Sequence, residues 1–354
     1  MPAPKTANEF LDLLQRSGLV EPEQLSPWVD NLRATGPTVT EEPATIAGLL
    51  VRDGLLTPFQ ADHLLQGKWR RFTIGGYRIL EHLGGKRTNV YLCQDLSAQR
   101  HVAVKVLPTS MSEDSRAVRF LRESRIVAAF DHPNIIQAYA VGQDDTLFYM
   151  VLEYVDGSSL KYITKKKGPM AVVRAAHYVR AAALGLQDAH ERGIVHRNIK
   201  PAHILVDRAG GVKIIGWGLA GVAVHEPGVE RSGYATIMGT PDFMAPEQGL
   251  DFHCVDIRAD IYSLGATFYY VLTGKTLFGE GTIAQKILWH QSRQPEPIRE
   301  LCPDVPEGMA ALIERMLAKE AGRRPQTPRQ VADELASHAT EPIGLPPKDE
   351  MPAG

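Results

Sequence analysis

Two short stretches hold the side chains with the most to say about chemistry. Ile194-Val195-His196-Arg197-Asn198-Ile199-Lys200-Pro201-Ala202-His203-Ile204-Leu205 sets a polar loop between apolar pairs, and Gly216-Trp217-Gly218 follows shortly downstream. Asn198 offers an amide, which hydrogen-bonds but neither carries charge nor takes up a proton. Gly216 offers no ligand to a hard cation such as magnesium. His203 has a ring nitrogen better suited to zinc or copper than to magnesium, and a lone loop histidine is more often a hydrogen-bonded structural residue. Lys200, and upstream Lys86, Arg87 and Lys105, supply cations that could neutralise a phosphate, while Glu123 supplies a carboxylate.

The chain that must position these groups is an ordinary globular one. At 354 residues it is long enough for two or three domains. It is 44% hydrophobic and 23% charged, with a formal net charge of −2, which gives no global reason to expect nucleic acid or an anionic membrane. Three cysteines (Cys93, Cys254, Cys302) without metal-ligand spacing suit a reducing compartment. The start, Met1-Pro2-Ala3-Pro4-Lys5, leads into a polar helix, and the most apolar stretch, Ile261 to Leu272, is too short to span a bilayer. These features predict a cytoplasmic protein.

Residues 8–66 read as helical and contain a repeat. Leu13-Leu14-Gln15-Arg16-Ser17-Gly18-Leu19-Val20-Glu21-Pro22-Glu23-Gln24 matches Leu49-Leu50-Val51-Arg52-Asp53-Gly54-Leu55-Leu56-Thr57-Pro58-Phe59-Gln60. Each unit is an apolar-periodic helix, a Gly at its end and a Pro opening the next helix. Two such hairpins, joined by Thr35-Gly36-Pro37-Thr38, predict a four-helix module over residues 1–71. A DNA-reading helix-turn-helix is the sharper alternative. Through Gln66, however, four basic residues face nine acidic ones, the wrong balance for a DNA face, so the module is read as a docking or packing element. Lys68-Trp69-Arg70-Arg71-Phe72 reads as a lead-in to the first strand with its charges solvated. From Ile74 the texture turns to alternating strands, over Tyr77–Gly84, Val90–Cys93 and Val102–Leu107.

The central stretch resembles the catalytic loop of protein kinases, H-R-D-x-x-x-x-N, with Asn198 at the base position and His203 at the metal-holding Asn position. Gly216-Trp217-Gly218 stands where that family has D-F-G. Val102-Ala103-Val104-Lys105 is similar to its V-A-I-K strand, with Glu123 as the lysine's helix partner. Gly84-Gly85-Lys86-Arg87-Thr88-Asn89-Val90-Tyr91 is a degraded version of the Gly-rich loop, one residue short and with Thr88 at the last glycine. Phe148–Val155 resembles the hinge, with Leu152 as gatekeeper. Gly239-Thr240-Pro241-Asp242-Phe243-Met244-Ala245-Pro246-Glu247 resembles the A-P-E segment, Asp256–Gly265 the central helix, and Arg324 the arginine that pairs with Glu247. The resemblance covers residues 74–338 and is nearest to the eukaryotic-like Ser/Thr kinases of bacteria.

That resemblance implies an α+β, two-lobed kinase fold over 72–340, with a β-rich lobe (74–152), a hinge (153–155) and a helical lobe (156–340). Glu341 onward, rich in proline, reads as a disordered tail. It implies a nucleotide site at Gly84, Gly85, Val90, Ala103, Lys105, Glu123, Glu153, Val155 and Leu205, and a catalytic loop at Asn198, Lys200, His203 and Gly216. Phosphoryl transfer rests on positioned phosphates, bridging metal and an orienting carboxylate, and two of those three are altered. Loss of general-base help costs about 10²–10⁴ in rate, and loss of metal charge several kcal/mol more. A rate of ~1–100 s⁻¹ would fall by roughly 10⁴ or more.

The frame residues His196, Arg197, Lys200, Thr240, Glu247, Asp260 and Arg324 nevertheless remain. The sequence therefore predicts a pseudokinase that binds protein partners through its helical module or kinase-like surface. Weak, metal-independent ATP binding is expected, with no magnesium; cations at Lys105, Lys86, Arg87 and Lys200 would neutralise the phosphates. A kinase with residual activity and a helical scaffold that binds no nucleotide are the alternatives. Ser232, Tyr234 and Thr236 are hydroxyls ahead of the A-P-E segment, and Trp217 is expected to fill core, with a swing into the nucleotide cleft as the alternative.

Overall fold

A computed structural model describes residues 2–34, 42–85, 89–108, 115–144, 147–222, 240–250, 255–339 and 343–352. The linker at 35–38, the loop residues Lys86, Arg87 and Thr88, and the hydroxyls Ser232, Tyr234 and Thr236 lie outside them. The chain divides into two compact units, one of residues 1–117 and 139–154, the other of 118–138 and 155–354.

The first unit opens with α1 (Ala7–Ser17), α2 (Pro22–Ala34), α3 (Pro43–Arg52) and α4 (Pro58–Leu65). The repeat is visible in its stops: Gly18 and Gly54 take φ of 66° and 74°, a left-handed turn that glycine makes without strain. Phe10, Leu14, Ile46, Leu50 and Leu64 fill the module's core. The aromatics of the basic-aromatic cluster belong to it too, Phe72 buried and Trp69 packed alongside.

The strands are β1 (Thr73–Ile74), β2 (Tyr77–Gly84), β3 (Asn89–Asp95), β4 (Arg100–Pro108), β5 (Ala138–Asp144) and β6 (Leu147–Glu153), in sheet order β1-β2-β3-β4-β6-β5. Burial pushes the Cys93 thiol up to about 12, so this cysteine is an inert core residue.

Helices and sheet fall in one compact unit, and the join between them is specific. The β2–β3 register slips between Ile79 and Glu81, a bulge that leaves carbonyls without ladder partners. Gln60 donates its side-chain amide to the Ile79 carbonyl (2.7 Å) and Thr57 its hydroxyl to Leu80 (2.6 Å). The same two residues form the capping box that starts α4. Gln60→Leu removes the cap's return bond and strands a buried carbonyl, a loss of about 1–3 kcal/mol, to be read from thermal melting. A melt within a degree of the parent would contradict this join.

The second unit carries most of α5 (Ser115–Ala128), then β7 (Gly157–Ser159), α6 (Leu160–Lys167), α7 (Val172–Glu191), β8 (Ile194–Val195), β9 (Ile204–Asp207), β10 (Val212–Ile214) and β11 (Gly221–Val222). It continues with α8 (Arg258–Thr273), α9 (Ile283–Ser292), α10 (Ile298–Leu301), α11 (Glu307–Met316) and α12 (Pro328–Ala336). α8 is buried along almost all of its length, with Asp260, Ser263 and Thr267 among its buried residues. Among the described residues no helix is long and apolar enough to cross a membrane.

One expectation is corrected here. Residues 343–352 are not a disordered tail: Glu350 and Met351 are buried, and Glu350 pairs with Arg174 on α7. The proline-rich composition predicts no structure of its own, but a desolvated arginine on the helix supplies the partner that orders it.

Candidate functional site

The predicted site residues fall in both units. In the first, antiparallel register places Val90 opposite Lys105 and Lys105 opposite Met150, with Ala103 opposite Leu152. Directly paired residues and those two apart share a sheet face, so Val90, Ala103, Lys105 and Leu152 come together on one side of β3, β4 and β6. Val102, Val104 and Val106 take the other side and are buried. Gly84 and Gly85 end β2 with φ of 120° and 121°. Glu153 closes β6 opposite Val102.

In the second unit, Asp260 at the start of α8 organises the central loop. Its carboxylate accepts the backbone N–H groups of His196 and Arg197, both at 2.8 Å, and the His190 ring at 3.0 Å. Burial alone would raise this carboxyl, but the His190 bond and the neighbouring donors outweigh it, and Asp260 stays below the usual range. These bonds hold Arg197 at a φ of 61°, a conformation rare for a residue with a side chain. Asp260 was legible as a frame residue, whereas its tie to His190 carries no spacing signal. Gln248 adds a donor to the Arg197 carbonyl at 2.9 Å, another contact that sequence reasoning missed.

His196 is locked on both sides: one ring nitrogen lies 3.1 Å from the Ile215 carbonyl, and the other accepts the Asn198 N–H at 3.1 Å. Burial lowers its pKa in spite of Asp260 nearby, so the ring is neutral in the fold. His290, bonded to the Tyr262 hydroxyl at 2.8 Å, is lowered by burial to about 4. The sign follows from where the protons go. The unfolded chain takes them up near pH 6.5, while the folded chain refuses them until about pH 4. Stability is full above 6.5 and falls as pH drops from there toward 4. The expected loss from His290 is about 3 kcal/mol at pH 4, readable as a denaturation midpoint against pH that His290→Gln flattens. An unchanged midpoint between pH 7 and 5 would contradict it.

The residues at the chemical positions are close together. His203 ends a short 3-10 turn (Pro201–His203), and its Nδ1 lies 2.8 Å from the Asn198 carbonyl. Lys200 donates to the Thr240 hydroxyl at 2.7 Å. Leu205 sits on β9, paired with Lys213 and Ser159; Val155 precedes β7.

Gly216 has φ 86°, and a Cβ built there would lie 2.6 Å from His203 Nδ1 and 2.7 Å from its Cε1. The imidazole occupies the space that any larger residue at 216 would need. Position 216 offers no side-chain ligand to a hard cation, and the ring against it is a nitrogen donor. Among the described residues no three His, Cys, Asp or Glu side chains cluster as a metal site.

Trp217 is buried between Phe130 (ring centroids 4.7 Å apart) and His196 (4.6 Å), with its indole N–H on the Ile214 carbonyl. It fills core, as expected. Glu123 is buried on α5, and its Oε2 lies 2.9 Å from where a Cβ at Gly218 would stand, so the second glycine gives that carboxylate room. Glu247 and Arg324 form the anticipated pair, bidentate at 2.6 and 2.8 Å.

Comparison with known proteins agrees with this geometry. Residues 77–338 match the protein kinase domain. The chain is 35% identical over 277 residues to the serine/threonine-protein kinase PknB of Mycobacterium tuberculosis, covering 76% of this chain and 44% of that protein. It is 33% identical over 271 residues to pkn2 of Myxococcus xanthus, covering 74% and 32%. With PrkC of Bacillus subtilis the identity is 31% over 255 residues, covering 72% and 39%. The chain spans less than half the length of each of these relatives. With a twisted antiparallel sheet, a helical part around α8 and the loop that Asp260 holds, the chain belongs to the protein kinase family, preceded by four helices of its own.

Proposed function

We propose that the chain is a pseudokinase: a protein kinase fold kept for binding, with no ordinary phosphoryl transfer. The observation that carries this reading is the fit of His203 against Gly216, with the imidazole nitrogen 2.6 Å from the place of a Cβ. A carboxylate at 216 would have to displace that ring, so the two altered positions work together against a metal. Asn198 removes the base as well. The chain then acts as a signalling scaffold or allosteric partner of another protein, through its helical module or kinase-like surface, in the reducing cytoplasmic compartment that its cysteine usage suits.

ATP binding, where it occurs, is weak and independent of magnesium. Supporting it, Val90, Ala103, Lys105 and Leu152 still share one face of the sheet. Thermal-shift titration with ATP in EDTA, then in excess magnesium, tests it. A small shift of equal size in both, or none in either, agrees with the proposal. A shift that appears only with magnesium would show a working metal site and overturn it.

The second reading is a Ser/Thr protein kinase with residual activity. The Lys200–Thr240 bond favours it, as part of an intact loop frame, and the relatives' names say serine/threonine-protein kinase.

A further inference from the structure

Residues 343–352 lie against α6, α7 and the turn between β9 and β10, all in the second unit. Arg174 grips Glu350 with both guanidinium nitrogens and donates its Nε to the Tyr178 hydroxyl at 3.0 Å. Its side chain is 17% exposed and that of Glu350 is 7% exposed, so the pair is largely out of water. Met351 is buried beside it, and Lys167 at the end of α6 pairs with Asp349. Arg208 donates to the Pro352 carbonyl at 2.9 Å and to Asp156 at 2.7 Å. Gly210 sits against Pro346.

The anchors are of the kind that a receptor uses to hold a peptide. One carboxylate is read by a planar guanidinium fork, one apolar side chain is buried, and one carbonyl is capped by a second arginine. The backbone hydrogen bonds of the segment, Glu350 to Pro347 and Met351 to Lys348, stay inside its own 3-10 turn. Leu345 just before it is 75% exposed. Among the described residues the segment joins no strand ladder, so its release breaks these side-chain anchors and no sheet.

We propose that the groove of Arg174, Tyr178, Lys167 and Arg208 is a peptide-docking site for a Lys-Asp-Glu-Met-Pro sequence, filled in cis by this chain's own residues 348–352. Release of the segment opens a basic groove and takes the Pro352 carbonyl from Arg208, which also pairs with Asp156 just after the predicted hinge. The proposal stands whether or not the chain transfers phosphate.

The test uses the full chain and a fluorescein-labelled peptide of residues 345–354. In the parent the groove is filled, and the peptide is expected to bind weakly. In the double variant Glu350→Gln, Met351→Ser the strap lets go, and the peptide should bind at least tenfold more tightly. A peptide with Gln in place of Glu350 should lose roughly tenfold or more on that same variant, the worth of a charged hydrogen-bonded pair. Equal binding to parent and variant, indifference to the Glu-to-Gln change, or binding to neither would overturn the proposal. Hydrogen exchange on the unaltered chain gives a second reading that needs no variant to fold. The amides of Glu350 and Met351 should exchange at least a hundredfold faster than those of Ala182–Ala189 inside α7. Exchange as slow as that of α7 would make the segment a fixed part of the fold and contradict release.

Discussion

Gly216→Asp, the change that returns a carboxylate to the D-F-G position, is expected to destabilise the chain by roughly 2–4 kcal/mol and to bring no magnesium dependence. Position 216 sits at φ 86°, which costs a residue with a side chain about 1–3 kcal/mol. The new Cβ meets His203 at 2.6 Å, closer than any real contact, and the ring is tied to the Asn198 carbonyl at 2.8 Å. Something must move, and overpacking of this kind costs about 1–3 kcal/mol.

His203→Asn by itself should cost about 1 kcal/mol through that lost bond. Combined with Gly216→Asp it should recover much of the loss, because the shorter amide vacates the space. A double-mutant cycle by urea unfolding is therefore expected to show coupling of about 1–3 kcal/mol in the favourable direction. Additivity within ~0.5 kcal/mol would show that the two positions do not compete for the same volume.

Arg324→Ala is expected to cost roughly 3–5 kcal/mol. The arginine side chain is fully buried, and Glu247 is 27% exposed. Besides the bidentate pair, Arg324 donates to the carbonyls of Ala318, Lys319 and Arg258 and lies over the Tyr262 ring at 5.0 Å. Alanine would strand the Glu247 carboxylate and three carbonyls at once. Arg324→Lys keeps the charge but cannot form the fork, so it should recover less than half. Urea unfolding of the three proteins checks both statements. A loss under 1 kcal/mol for the alanine variant would mean that the pair is not a structural tie.

The parts of the fold that were legible from sequence are those with local signals. Gly18 and Gly54 stop their helices in left-handed turns because a helix end wants a residue without a Cβ. Pro58 opens α4, as the repeat's prolines do. The Arg324–Glu247 pair was legible through resemblance, since its partners lie far apart in the chain. What was not legible depends on meetings that no spacing encodes. The bulge at Ile79–Glu81 and its grip by α4 joined two stretches that read as separate domains. The fit of His203 against Gly216 is a matter of ångströms. α6 was missed because a lysine-rich stretch gives a weak apolar period. Residues 343–352 read as disordered because Glu350 finds its partner 176 positions away.

The central claim, that this kinase fold does not transfer phosphate, is tested most directly with radiolabelled ATP. The full chain would be incubated with generic protein acceptors and alone, in magnesium and in manganese, beside Lys105→Met. The account predicts label incorporation no higher than that of Lys105→Met in either metal. Metal-dependent transfer that Lys105→Met abolishes would contradict it and make the chain an active Ser/Thr kinase.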